Sequence, residues 1–466
     1  MMRLKNIELY FTHQTGNRRI AKSVFCAGEA VDLHLGVPRQ QRLVLQVQNL
    51  SGEVVYEKRV LVSETETPHR RPATEGLGLK PTLSIPTENL VSGPYTVYVA
   101  LANLKVVAAS LFFVTRPTVP ARILYCYPSN TINAYSFTNQ INCYSKSAQG
   151  ELLLQDASFH RTQNGKNIGE FLPGLKWLAS LGESVRHVSD REMEEAQSYE
   201  GIELIILGGH SEYWTRRARV AFDRAIEAGM RALVLSGNTM WWQVRTPVDD
   251  QNQRLEIYRH READPLAISA PNEVTTLWNW LDYAAIDSIG ADFNHGGYPI
   301  ARKYPVQGYL NDFLYMSDGV SPLNELIAGR RFPLGYAVEF DGMPIKGIDG
   351  DRLIPDDDRL QAYCSNILGF MPGYRGGFTI GTAHYYQKTR SHGGVFQIGA
   401  ISAFSHPIQE SKDFVDLLTV STLSLLEGNV EIFYPLQDRA KVFFPYTTPN
   451  PQLAPLIQSA IAQGGT

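Results

Sequence analysis

A chain of 466 residues, 44% of them hydrophobic, accommodates two or three domains with ordinary buried cores, and its formal net charge of −4 gives no reason to expect nucleic acid or an anionic membrane as partner. The N-terminal residues lack the apolar run of a secretory signal, and no stretch approaches the roughly 20 apolar residues of a membrane span. Four dispersed cysteines (Cys26, Cys126, Cys143, Cys364) include no C-x-x-C pair, which speaks against a disulfide framework or a thiolate zinc site and makes the cytoplasm the expected compartment.

Residues 1–115 read as strands. Val31–Leu35, Leu43–Val47 and Val54–Tyr56 are β-rich runs punctuated by turn groups such as Asn49/Ser51/Gly52. The turn Ser92-Gly93-Pro94 leads into an alternating run ending at Val99, and Val106-Val107 and Leu111–Val114 supply closing strands. Short strands at this density predict a β-sandwich, and the Gly-Pro-Tyr segment resembles the corner tyrosine of immunoglobulin-like sandwiches. This region shows no constellation of acid, base or metal ligand, and a packing or assembly role is expected for it.

Residues 116–120 form a proline-stiffened linker, after which the pattern changes. Ile123–Tyr127 reads as a buried strand, a helix is expected over 171–181, Val185–Val188 is a short strand, and 190–198 looks helical. Glu203–Leu207, a helix over 215–228 and the strand Ala232–Leu235 continue the alternation. Strands alternating with helices predict an α/β domain over 121–430, with a doubly wound, mostly parallel sheet whose ligands bind beyond the C-terminal strand ends. Residues 245–330, rich in Asp, Asn, Trp and Tyr, interrupt the pattern as an insertion. The alternation resumes with Phe378–Ile380, Gly394–Ile398 and a helix over 411–427, and 431–466 is a proline-rich tail.

Three segments fall just past predicted strand ends and should meet at one sheet edge. They are 128–135 with Cys143-Tyr144 following, Gly208-Gly209-His210-Ser211-Glu212-Tyr213-Trp214, and Ser236-Gly237-Asn238-Thr239-Met240-Trp241-Trp242. Two glycines let the backbone turn off the strand, delivering His210 and Glu212, an imidazole and a carboxylate suited to metal ligation and proton transfer. The competing reading makes Glu212 a helix cap and packs His210 on Trp214. Asn238 can orient a carbonyl or steady an oxyanion, or can serve simply as a turn residue. Tyr135 and Tyr144 carry no signal of their own.

The order Asn-Ala-Tyr (133–135), Ser-Phe-His-Arg (158–161), Gly-His-Ser-Glu-Tyr-Trp (209–214), Ser-Gly-Asn-Thr-Met-Trp-Trp (236–242), Gly-Ala-Asp-Phe-Asn-His-Gly-Gly-Tyr (290–298) and Tyr-Ala-Val-Glu-Phe-Asp-Gly (336–342) resembles the C-terminal domain of the N,N-dimethylformamidase large (beta) subunit, over roughly 120–430. The resemblance implies a class I glutamine-amidotransferase-like fold without its nucleophilic cysteine. It also implies a mononuclear Fe(III) held by Tyr135, Tyr144 and Glu212, with His210 and Asn238 beside it and Glu339 as acid/base. Two tyrosinates and a carboxylate balance iron(III) and suit a hard ion. The implied reaction is hydrolysis of an amide-type small molecule at a C–N bond by metal-activated water. The implied assembly is a homo-oligomer, with a small partner subunit possible. The chain is shorter than that subunit, so the substrate need not be dimethylformamide.

Two other readings compete. One is a metal-independent hydrolase using Ser211 or Cys126, although Ser211 lacks the second glycine of a G-x-S-x-G elbow. The other is a non-catalytic ligand-binding protein with Trp278, Trp280, Tyr283 and Tyr298 as a stacking platform.

Overall fold

The computed structural model describes residues 6–116, 119–247, 253–297, 339–349, 378–389 and 391–433. It also describes the strands Met2–Arg3, Asp312–Leu314, Arg331–Pro333, Arg352–Pro355, Ala362–Pro372 and Phe444–Pro445. Tyr298, residues 336–338 and almost all of the proline-rich tail lie outside the described residues.

The N-terminal region is β-rich. Its strands are β1 (Glu8–Thr15), β2 (Arg18–Ala21), β3 (Val24–Cys26), β4 (Val31–Gly36), β5 (Gln41–Gln48), β6 (Val54–Val62), β7 (Pro81–Ile85), β8 (Gly93–Leu101) and β9 (Val106–Thr115). They form a five-stranded sheet in the order β3-β9-β8-β5-β6 and a four-stranded sheet in the order β2-β1-β4-β7. Inward residues of both sheets, among them Phe11, Leu33, Leu45, Val97 and Phe112, share one core. Strand alternation supplies that face from each sheet. The Tyr95 hydroxyl donates to the Val91 carbonyl at 2.9 Å and ties down the corner before β8.

The second region is mixed α/β. Its elements are β10 (Ile123–Tyr127), α1 (Ser129–Tyr135), α2 (Leu172–Ser180), β11 (Val185–Ser189), β12 (Leu204–Gly208), α3 (Arg216–Glu227), β13 (Arg231–Leu235), β14 (Ala362–Pro372), β15 (Phe378–Tyr386), β16 (Val395–Ile398) and α4 (Lys412–Glu427). The seven-stranded sheet runs β11-β10-β12-β13-β16-β15-β14. Its first five strands are mutually parallel, and β15 and β14 are antiparallel additions. One face packs on α2, α4 and Phe404, and the other on α3 and Trp278. Strands covered on both faces read as continuous apolar runs, which is why Leu204–Gly208 and Arg231–Leu235 were recognisable. Phe113 of β9 reaches the first face and packs on Tyr125, Tyr127 and His187.

Residues 190–198 are not one helix but two 3-10 turns, Glu192–Glu194 and Ala196–Tyr199. Glu192 turns back to accept from the Ser189 backbone N–H at 2.8 Å, so the chain closes locally and does not propagate a helix. The decisive feature of the sheet is its switch point. From β10 the chain crosses to β11 on one side, then returns to β12 on the other. The C-terminal ends of β10 and β12 therefore flank the crevice position at which sheets of this order bind ligands. Among the described residues, no helix is long and apolar enough to cross a membrane.

Candidate active site

Both crevice walls are short and tied to each other. α1 leaves β10 almost at once, and Asp190, at the end of β11, accepts from the Asn130 N–H at 2.7 Å, fixing the first turn of α1. The helix ends on Tyr135. Across the crevice, Gly209 turns off β12 with φ +84° and no room for a Cβ beside Phe171, conditions that favour glycine. The hydroxyl of Thr131 then accepts from the backbone N–H groups of Glu212 and Tyr213 at 2.9 and 3.2 Å. The helix carrying Tyr135 and the segment carrying Glu212 are thus pinned through one side chain. Thr215, not Glu212, caps α3, its hydroxyl accepting from Ala218 N at 3.2 Å.

Tyr144 arrives on the loop after α1. Cys143 N donates to the Ala134 carbonyl at 3.1 Å and Asn142 Nδ2 to the Tyr135 carbonyl at 3.2 Å, folding that loop against the helix end. The Tyr144 and Tyr135 rings lie 4.7 Å apart.

The three oxygen-bearing groups meet. Tyr135 OH is 2.8 Å from Glu212 Oε2, Tyr144 OH is 3.1 and 3.2 Å from Glu212 Oε1 and Oε2, and the two phenol oxygens are 2.8 Å apart. His210 Nδ1 lies 3.2 Å from the Gly237 carbonyl, which directs Nε2 at Glu212 Oε2 (2.9 Å) and Tyr135 OH (3.3 Å). Glu339 Oε2 stands 3.6 Å from the same Nε2 and accepts from Asn238 Nδ2 at 3.2 Å. All six residues singled out in the sequence fall within one connected cluster, and His210, Glu212 and Asn238 are each 2% exposed.

Asn238 is both a turn residue and a member of the cluster. It adopts φ +55°, in the left-handed region that asparagine tolerates. Both oxygens of the buried Asp341 hold the turn, accepting from Asn238 N at 2.8 Å and Thr239 N at 3.1 Å. Burial pushes the Asp341 carboxyl up to about 8 in spite of those bonds. The side-chain carbonyl of Asn238 is buried, without a hydrogen-bond partner among the described residues.

Electrostatically, burial raises the phenols of Tyr135, Tyr144 and Tyr213 well above their ordinary range, and Glu212 reinforces the effect. Burial alone would also raise Glu212. The bond from His210, with Arg259 and Tyr135, reverses the sign and holds it below the ordinary carboxylate range. Glu339, with less compensation, is raised by burial. The site is thus a packed set of oxygen donors that ionise fully only beside added positive charge.

Three members of the site were not singled out in the sequence. Tyr213 OH donates to Tyr144 OH at 2.6 Å. Arg259, buried, donates to Tyr213 OH and stacks 3.8 Å from the Tyr144 ring centroid. Its guanidinium would be lowered by burial but is held up by Tyr213, Tyr144 and Glu212. Lys166 places its ammonium 4.5 Å from the Tyr135 ring centroid. Tyr213 stood inside a quoted motif, whereas Arg259 and Lys166 lie in segments with no local signature.

The groups behind the competing readings are arranged differently. Cys126 is buried, and burial with the nearby Asp190 carboxylate raises its thiol well above the ordinary value, the reverse of nucleophile activation. The Ser211 hydroxyl accepts from Trp214 Nε1 at 3.0 Å, while His210 is directed at Gly237 and Glu212. Trp278 is buried with Arg219 and Tyr283 packed on it, and Trp280 is exposed.

Octahedral ligands on metal–oxygen bonds of about 2.0–2.1 Å lie roughly 2.9 Å apart, close to the separations among Tyr135, Tyr144 and Glu212. Among the described residues, no group of three or more His, Cys, Asp or Glu side chains is arranged to hold a metal.

The family model "N,N-dimethylformamidase beta subunit-like, C-terminal" matches residues 51–407. No curated protein matches the chain. Among solved structures, the mmIFT52 N-terminal domain aligns at 13% identity over 65% of this chain and 97% of that one, with a TM-score of 0.31. A Parabacteroides merdae beta-glucuronidase aligns at 12% identity over 50% of this chain and 23% of its own, with a TM-score of 0.16.

Proposed function

Since the chain belongs to the N,N-dimethylformamidase beta subunit-like, C-terminal family, we propose that it is an amidohydrolase of non-peptide C–N bonds whose centre is a mononuclear iron(III) held by Tyr135, Tyr144 and Glu212. The observation that carries this reading is the convergence of two phenol oxygens and both oxygens of one buried carboxylate, each within 3.2 Å of a neighbour. Three anionic oxygen ligands neutralise a hard trivalent cation, and the raised phenols are what an added cation would bring back into reach of ionisation. Bound there, iron(III) would polarise an amide carbonyl and acidify water.

The chain's own residues supply the proton traffic. Hydrolysis forms a C–O bond from water, breaks C–N, and moves a proton from water to the departing amine. With Glu212 taken up by the cation, His210, whose Nδ1–H is held by the Gly237 carbonyl, would offer Nε2 as the proton acceptor. Glu339, whose affinity for a proton burial raises, is placed to carry one to the amine nitrogen, and Asn238 steadies it. The carbonyl of the Asn238 amide, without a partner among the described residues, can accept an N–H from the substrate.

The proposal extends to a glutamine-amidotransferase-like fold for the α/β region, a domain division at residues 116–120, a cytoplasmic homo-oligomer and a small partner subunit. Amine release from N-alkylformamides by iron-reconstituted protein tests the activity. The expected result is turnover in the wild type and at least about a hundredfold less in H210A and E339Q. Turnover unaffected by either change would reject the assignment of roles.

A further inference from the structure

The chemistry above leaves one cation at the site unused. Lys166 is half-buried beside the Tyr135 ring, and among the described residues its ammonium has no carboxylate partner. Arg259 differs: it lies against the tyrosines, bonded to Tyr213 and stacked on Tyr144, with Glu212 among the anions around it.

The position of Lys166 is built in. Ser136, the residue after α1, accepts through its hydroxyl from Asn164 N at 2.9 Å and Gly165 N at 2.8 Å. Asn164 Oδ1 in turn accepts from Phe137 N at 3.0 Å. Gly165 presses so closely on α1 that a Cβ there would fall 2.2 Å from the Ile132 carbonyl and 2.7 Å from the Tyr135 Cβ. Beneath them the buried Arg161 donates to the carbonyls of Ser136 (2.6 Å) and Asn133 (2.5 Å). The loop and the helix end bearing Tyr135 are therefore one packed unit, and the lysine stem starts from a fixed point beside the reacting centre. Lys166 is near enough to Glu339 to act on its charge. Phe137 and Tyr144, 52% and 37% exposed, add aromatic surface around the loop.

We propose that Lys166 receives a carboxylate carried by the substrate, so that the amide hydrolysed is a monoanion with its carboxylate a few bonds from the C–N bond. A half-buried, unpaired ammonium gains a charge-assisted hydrogen bond from such a group without first breaking an internal ion pair. Among the described residues one positive charge stands unpaired beside the site, which matches one negative charge. A phosphate dianion calls for a second cation or a bidentate guanidinium, and Arg259 is committed elsewhere. The inference rests on the amidohydrolase reading for the group that reacts and on Lys166 for the group that anchors.

Calorimetric titration of the full-length protein with half-amides from malonamate to adipamate, each against its neutral diamide, tests the anchor without requiring turnover. The expected result is that at least one half-amide binds about tenfold more tightly than its diamide, a preference that fades with added salt. K166R should retain that ratio, and K166M and K166Q should bring it to about one, with near-ultraviolet circular dichroism verifying their fold. No preference across the series, or a preference surviving in the neutral variants, would overturn the proposal. If the amidohydrolase reading alone were wrong, the preference would persist without turnover. If the anchor alone were wrong, turnover would occur with no preference.

Discussion

Arg259 is the residue on which the oxygen cluster leans. Four acidic side chains, the buried Tyr213 and Glu212 with the partly exposed Tyr135 and Tyr144, are packed together, and this guanidinium covers one ring and bonds the hydroxyl of another. Replacing it with methionine keeps volume but strands Tyr213 and leaves Glu212 short of positive charge. R259M should therefore lose roughly 3 kcal/mol by chemical denaturation, and a loss under about 1 kcal/mol would show that the cluster stands without it. Nothing in the sequence marked Arg259, because its partners lie far away in the chain and no periodicity links them. Glu212 and His210 were legible as a pair past a strand end, yet Glu212 looked equally like a helix cap until Thr215 proved to hold that position. Tyr135 and Tyr144 gained meaning only from family resemblance, since a tyrosine at a strand end is ordinarily a packed ring.

At the scale of elements, α1 governs the site, and two of the contacts that hold it can be tested. The first is Asp190, which accepts from Asn130 N and Ser129 Oγ and is pushed up to about 7 by burial. Between about pH 4, where an unfolded aspartate ionises, and about 7, the native state keeps a proton that the unfolded chain has lost. Protons bound in the unfolded state minus those in the native state is then negative, so this group's contribution to stability declines as pH rises through that window and is gone above it. D190N removes the titration, and its stability should fall less steeply with pH, by up to about 1.4 kcal/mol per unit. Parallel slopes for variant and wild type from pH 5 to 7 would contradict the assignment. The second contact is Gly165. G165A must shift either the loop or the end of α1, and a loss of about 2 kcal/mol with weakened iron uptake is expected. Wild-type stability and uptake would mean the backbone yields without moving Tyr135. α1 itself was not legible as a helix, because residues 129–134 are all buried and its Ser-Asn-Thr-Ile-Asn-Ala composition lacks an amphipathic stripe.

For the whole molecule, strand order makes the site. The switch between β10 and β12 puts Tyr135 and Glu212 on facing walls, and β13 brings the turn at Asn238 alongside. That much followed from the alternation of apolar strands and helices. The two antiparallel strands that complete the sheet, and the Glu339-Phe340-Asp341 segment held against the Asn238 turn, depend on long-range pairing that local pattern does not encode. Titration of the protein with iron(III), followed by visible absorption, tests the central claim most directly. The account predicts a tyrosinate-to-iron charge-transfer band that grows to about one equivalent and is lost in E212A, Y135F and Y144F. A colourless protein, or a band indifferent to all three substitutions, would contradict it.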